Sequence, residues 1–286
     1  MKNVLNAIVL FLLLSLSLDA KSLRIEPEVL AKHLNEYTIL DTRKATEYKK
    51  DHIKGALNFP ILLTFENLKE DGRIVAPSKF QTIARRLGLE KNSKIIIYEN
   101  SSFFDAARLF WSLEAYGFTD VKLLDSNYIG WVQEDYPTSK EIPKVKKSHY
   151  ISTINNKRLA TKFSTQIAMR NPNQIIIDAR SQKGYNGEVS SAKRFGHIPE
   201  ARNIPASHNI QTLANGTKKL LNNEHLKELY ADLDKSKKVI LYCAIGKISS
   251  TNYFALRELG FDVANYDASW KEWGNEFSLP IVGPKK

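Results

Sequence analysis

One cysteine, Cys243, is all that the 286 residues contain, so no disulfide can close within the chain. The thiol is left as a packing residue, a partner for another chain, or a working group. The six histidines show no spacing of the kind that holds a metal, so no metal site is expected among them. Basic residues outnumber acidic ones, 42 to 31, but they are scattered as pairs such as Lys49 with Lys50 and Lys237 with Lys238. A nucleic-acid binder gathers its charge on one helix or stripe and interleaves aromatics. The scatter points instead to a solvated basic surface that attracts small anions.

Long apolar runs are missing too. The N-terminal one, Ala7 to Leu18, is shorter than the ~20 residues of a membrane span. Lys2 precedes it and the small Ala20 closes it, which predicts a secretory signal peptide over 1–20, cleaved after Ala20, and export to the periplasm. No cysteine follows the run, so a lipoprotein anchor is excluded and no stable membrane anchor is expected after cleavage. The remainder, in a chain 43% hydrophobic and 26% charged, has ordinary globular composition and room for two domains.

The chain repeats itself. KIIIYENSSFF from Lys94 matches KVILYCAIGKI from Lys238, which aligns Glu99 with Cys243. HIKGALNFP from His52 matches HIPEARNIP from His197, and ILDTR from Ile39 matches IIDAR from Ile176. Further on, Gly117 pairs with Gly260 and Trp131 with Trp273. The shared order implies duplication of one domain. Short β-branched runs, Ile95–Tyr98, Ile175–Ile177 and Val239–Tyr242, read as buried parallel strands. Helices are expected over Phe80–Leu87, Ala106–Tyr116, Glu224–Leu233 and Thr251–Leu259. The alternation predicts an α/β fold, two parallel sheets each with helices on both faces. Proline- and lysine-rich 137–149 reads as a linker between domains at 21–136 and 150–286.

In the second half, strand Val239–Tyr242 runs into CAIGKISS and then a helix. Backbone N–H groups of such a strand-to-helix loop converge with the helix N-terminus on one spot and favour negative charge there. A thiol at that spot is stabilised as thiolate, which makes Cys243 the candidate nucleophile. The candidate cradle is Ala244, Ile245, Gly246, Lys247, Ile248 and Ser249. Lys247, Arg194 and Lys183 are candidates to bind an anionic substrate. Asp178 and Arg180 recur as Asp41 and Arg43, and His197 recurs as His52, so a structural task is expected of each.

Three stretches, DARSQKGYNG from Asp178, GHIPEARNIP from Gly196 and LYCAIGKIS from Leu241, resemble the tandem-domain rhodaneses, the thiosulfate and 3-mercaptopyruvate sulfurtransferases. The resemblance implies two rhodanese-like domains with one catalytic cysteine in the second, and Glu99 fits a silent first domain. It also implies a two-step transfer without a metal or other cofactor: Cys243 takes sulfur from a small anionic donor as a persulfide, and a thiol or cyanide removes it. The family's loops carry other residues where this chain has Ala244 and Ile245, and its usual arginine falls at Gly184, so the donor stays open between thiosulfate and 3-mercaptopyruvate. Two other classes compete. One is a sulfur carrier or redox sensor without turnover. The other is a cysteine phosphatase or arsenate reductase, whose arginine six residues after the cysteine is here Ser249.

Overall fold

The structure, a computed structural model, describes residues 22–284. The expected signal peptide lies outside the described residues. Among those described, no helix is long and apolar enough to cross a membrane.

Ten of the short strands form two five-stranded sheets. The first holds β1 (Arg24–Ile25), β2 (Thr38–Asp41), β3 (Leu57–Asn58), β4 (Ile95–Tyr98) and β5 (Val121–Leu124), in the order β1-β5-β4-β2-β3. The second holds β6 (Leu159–Ala160), β7 (Gln174–Asp178), β8 (Ala201–Asn203), β9 (Lys238–Tyr242) and β10 (Val263–Tyr266), in the order β6-β10-β9-β7-β8. All pairings in both sheets are parallel. Counted within each half, the two orders are the same, as duplication requires. Register agrees as well: Asp41 lies beside Tyr98 and Asp178 beside Tyr242.

The central strands are buried along their length, β4 as Ile-Ile-Ile-Tyr and β9 as Val239 to Tyr242. Such runs need cover on both faces, which strand–helix–strand connections provide. The helices include α1 (Pro77–Arg86), α2 (Phe104–Ala115), α3 (Asn223–Leu229), α4 (Ser249–Glu258) and α5 (Ser269–Trp273). The helix expected over Glu224–Leu233 ends earlier, at Leu229. The chain then turns tightly, with Leu233 N–H donating to Tyr230 O, which tucks the Tyr230 hydroxyl onto buried Asn209.

Helix α2 is buried almost all round, from Ala106 to Ala115. A helix covered on every side belongs between layers, and α2 lies where the halves meet. Phe110 packs edge-on against Phe254 of α4, with ring centroids 4.9 Å apart. Beside them Glu114 accepts from the Tyr253 hydroxyl at 2.5 Å and from Arg257 at 3.0 and 3.1 Å. One hydrophobic cluster therefore runs through both domains, including Leu109, Trp111, Tyr253 and Leu256.

Residues 140–158 contain no helix or strand. This crossing segment is nonetheless held to the first domain. Ser148 N–H donates to Arg85 O, Tyr150 stacks on Phe118 at 5.0 Å, and Asn155 N–H donates to Ala115 O.

Candidate active site

Strand β9 ends at Tyr242 and places Cys243 at the mouth of the loop that opens α4. Cys243 is fully buried, with Ala179, Ala206, Ile248 and, from the first domain, Phe104 around it. Its N–H donates to the Ser269 hydroxyl at 3.1 Å, and its carbonyl accepts from Trp270 N–H at 3.0 Å. Ser269 adopts φ +54°, a left-handed conformation costly for a non-glycine residue, and its hydroxyl donates to Tyr266 O at 2.6 Å. These two hydrogen bonds hold the strained serine with its oxygen against the cysteine N–H.

The loop itself turns at Gly246, φ +67°. A Cβ there would meet the Asp267 carbonyl oxygen at 2.4 Å, so only glycine fits. Gly72 of the first domain approaches more closely still: its Cβ would fall 1.9 Å from Ile245 O. The Gly246 carbonyl accepts from Arg108 Nη1, Asn265 Nδ2 and the Ser250 hydroxyl, each at 3.0 Å. Across a planar trans peptide the next N–H points opposite to the carbonyl. The N–H groups of Ala244 to Ile248 have no hydrogen-bond acceptor among the described residues. Ser249 Oγ lies 3.4 Å from the sulfur and 2.7 Å from Asn265 Oδ1, so its one proton can serve either.

The first domain builds the same loop around a different group. Glu99 stands where the alignment puts Cys243, and Tyr128 N–H donates to Glu99 O just as Trp270 N–H donates to Cys243 O. The Glu99 carboxylate accepts the N–H groups of Ser101 at 2.8 Å, Phe103 at 2.6 Å and Asp105 at 3.2 Å. Burial, with Asp105 nearby, raises the Glu99 pKa above the usual carboxylate range despite those three donors. The silent loop thus closes on an anion supplied by its own side chain.

The recurring residues are scaffold. Arg180 holds Asp178 with Nε at 3.0 and 3.1 Å and Nη2 at 2.6 Å, and bonds Gly196 O at 2.8 Å. Arg43 repeats this with Asp41 and Asp51 O. His197 stacks on Tyr185, centroids 3.7 Å apart, with Nδ1 2.8 Å from Tyr185 O; His52 does the same with Tyr48. Trp131 and Trp273 are fully buried.

The cations proposed from sequence are not gathered at the sulfur. Arg194 is committed to carbonyls around the end of α5: Gly274, Trp273, Glu276 and Leu279 at 2.5–3.2 Å. Trp273 O and Glu276 O also accept the backbone N–H groups of Glu276 and Leu279, so the guanidinium adds a second donor to carbonyls just past the helix end. Lys247 directs its ammonium group to Asp105 of the first domain. With Arg43, Lys44 and Glu99 it lines a cavity of about 370 Å³ beside the silent loop. Lys183 is exposed on the short helix Gln182–Tyr185. Gly184 is buried, with a Cβ position 3.2 Å from Arg180 Cβ, so that position brings no charge to the site.

Sequence reading missed Arg108, Asn265 and Ser269. Arg108 carried a signal: a charge set inside the apolar run Ala106 to Trp111 of a helix. Asn265 and Ser269 look like ordinary strand and turn residues, and only the fold brings them beneath the cysteine.

The family model for the rhodanese-like domain matches residues 26–134 and again 162–276. The chain belongs to the tandem rhodanese family of sulfurtransferases. Among similar proteins, a putative thiosulfate sulfurtransferase of Haloferax volcanii is 29% identical, over 92% of this chain and 96% of its own. The sulfur carrier protein TtuD of Thermus thermophilus is 30% identical, over 82% of this chain and 86% of its own. The crystal structure of SseA from Escherichia coli, a 3-mercaptopyruvate enzyme of the rhodanese fold, superposes with TM-score 0.76 at 25% identity, covering 87% of this chain and 99% of that one. The two matched spans of this rhodanese put one copy of the domain in each half, with Glu99 in the first and Cys243 in the second.

Proposed function

We propose that this rhodanese moves sulfane sulfur from a small anionic donor, thiosulfate first among them, to a thiol or cyanide acceptor through a persulfide on Cys243. The observation that carries the reading is the contrast between the two loops. In one, N–H groups hold the Glu99 carboxylate; in the other, N–H groups of Ala244 to Ile248 are free of acceptors among the described residues around a thiol.

The Cys243 thiolate attacks the outer sulfur of thiosulfate. A new S–S bond forms, the old one breaks, and sulfite leaves with the electron pair. Cyanide then attacks the terminal sulfur, thiocyanate departs, and the thiolate is restored. The loop N–H groups and Ser249 Oγ, 3.4 Å from the Cys243 sulfur, would stabilise negative charge on either sulfur, in a shell of Ala179, Ala206 and Ile248 where such bonds are strengthened. Because the thiol is buried, a donor reaches it only when flanking side chains move.

Turnover separates catalysis from the carrier alternative. Wild-type protein is incubated with thiosulfate or 3-mercaptopyruvate, and thiocyanate is followed after cyanide addition. Repeated turnover supports the enzyme. A single equivalent released per chain identifies a carrier, and no loading from either donor rejects the proposal.

A further inference from the structure

Arg108 is fully buried, yet it makes no hydrogen bond or ion pair to a carboxylate among the described residues. Its Nη1 donates to Gly246 O at 3.0 Å and its Nη2 to Gly72 O at 2.9 Å, with Thr64 O at 3.4 Å, while Nε has no partner among the described residues. The guanidinium lies over the rings of Phe65 and Trp111, at 4.3 and 4.5 Å. Burying a cation without a contact counter-ion is expensive, and an apolar side chain of similar volume would pack more cheaply. The position therefore calls for a use of the charge.

Two features say what that use is. Arg108 belongs to the domain that lacks the cysteine, and its counterpart on α4, nine residues after Cys243 as Arg108 is nine after Glu99, is the uncharged Asn252. The cation is thus supplied across the domain boundary to one loop only. Its one bond to the second domain is to the peptide that sets the direction of the Lys247 N–H. Burial lowers the Arg108 pKa to about 10, a shift opposed by nearby Asp267, so the group stays charged at neutral pH.

We propose that Arg108 is a positioning residue of the sulfur site: it fixes the Gly246 peptide so that the following N–H faces the sulfur, and its charge offsets the anion carried on Cys243. The inference rests on the sulfur-transfer reading and gives the silent domain a part in it. The site is incomplete without a residue from the first domain.

Arg108→Met and Arg108→Lys are compared with wild type in thiosulfate–cyanide turnover and in the lifetime of the loaded persulfide, read by intact mass after donor removal. Arg108→Met is expected to lower kcat/KM about 100-fold, the scale of losing a preorganised anion-stabilising group. The loss falls in kcat, the donor KM stays within about threefold, and the persulfide lifetime shortens in parallel. Arg108→Lys keeps the charge and recovers at least about tenfold of the loss. If Arg108→Met does not fold, Arg108→Gln takes its place in the same comparison. Should the neutral variant match wild type in kcat and persulfide lifetime, or should lysine do no better than the neutral residue, the proposal fails while sulfur transfer stands. Should wild type itself never load sulfur, it is the underlying reading that fails.

Discussion

Replacing Glu99 by alanine tests whether the two loops are the same anion cradle. The change removes the acceptor of three N–H groups, those of Ser101, Phe103 and Asp105. Each buried donor left unpaired costs about 1–3 kcal/mol, but the bonds from Ser101 and Asp105 are only part-buried, and water can replace them. The Phe103 N–H is buried and bears the full penalty. Removing a desolvated carboxylate gives some of this back, so a net loss of about 2–3 kcal/mol is expected, or roughly 3–5 °C in Tm for a chain of this size. The emptied cradle should then accept sulfate or thiosulfate. At a ligand concentration of 100 Kd the recovery is about 2.7 kcal/mol. Urea unfolding of wild type and Glu99→Ala, each in sulfate and in chloride at matched ionic strength, reads both effects. Sulfate stabilises proteins generally, so the informative quantity is the extra stabilisation of the variant over wild type. A Glu99→Ala variant as stable as wild type, or one that sulfate helps no more than wild type, refutes the reasoning.

Asp178→Asn removes the carboxylate paired with buried Arg180 and should destabilise by about 3–5 kcal/mol in urea unfolding, with Asp41→Asn close behind in the first domain; a loss under about 1 kcal/mol for both would deny the pairs their structural role. His197, whose pKa burial lowers from 6.5, binds fewer protons folded than unfolded. Its contribution is present above that value and is lost as pH falls through the lower folded pKa, so the stability–pH slope between pH 7 and 5 should flatten in His197→Asn. An unchanged slope would assign that dependence to other groups. Lys247→Ala should change the donor KM by less than about threefold, because Asp105 already balances the lysine; a rise of tenfold or more would put the ammonium group on the donor's path.

Much of the plan was legible because it is local or repeated. Ile95–Tyr98 is a strand with the bounds its β-branched run predicts, and the other two expected strands extend only slightly further. The Asp–Arg pairs and the stacked histidines announced themselves by recurring in both halves. Residues whose partners lie far along the chain did not. Lys247 sits four positions from Cys243 in sequence, but its partner is Asp105, and nothing local to the loop foretells that. Arg194 is close to the catalytic motifs in sequence and is instead consumed by the carbonyls closing α5. Arg108 was hidden for the same reason, since its role depends on how two domains meet rather than on its neighbours in the helix.

The most direct test of sulfur transfer is intact mass spectrometry of wild type and Cys243→Ser after thiosulfate, followed by cyanide. Wild type should gain one sulfur, localise it to Cys243, and return to its starting mass as thiocyanate appears, while Cys243→Ser gains nothing. Sulfur gained and turned over by the serine variant would contradict the assignment of Cys243 as the carrier.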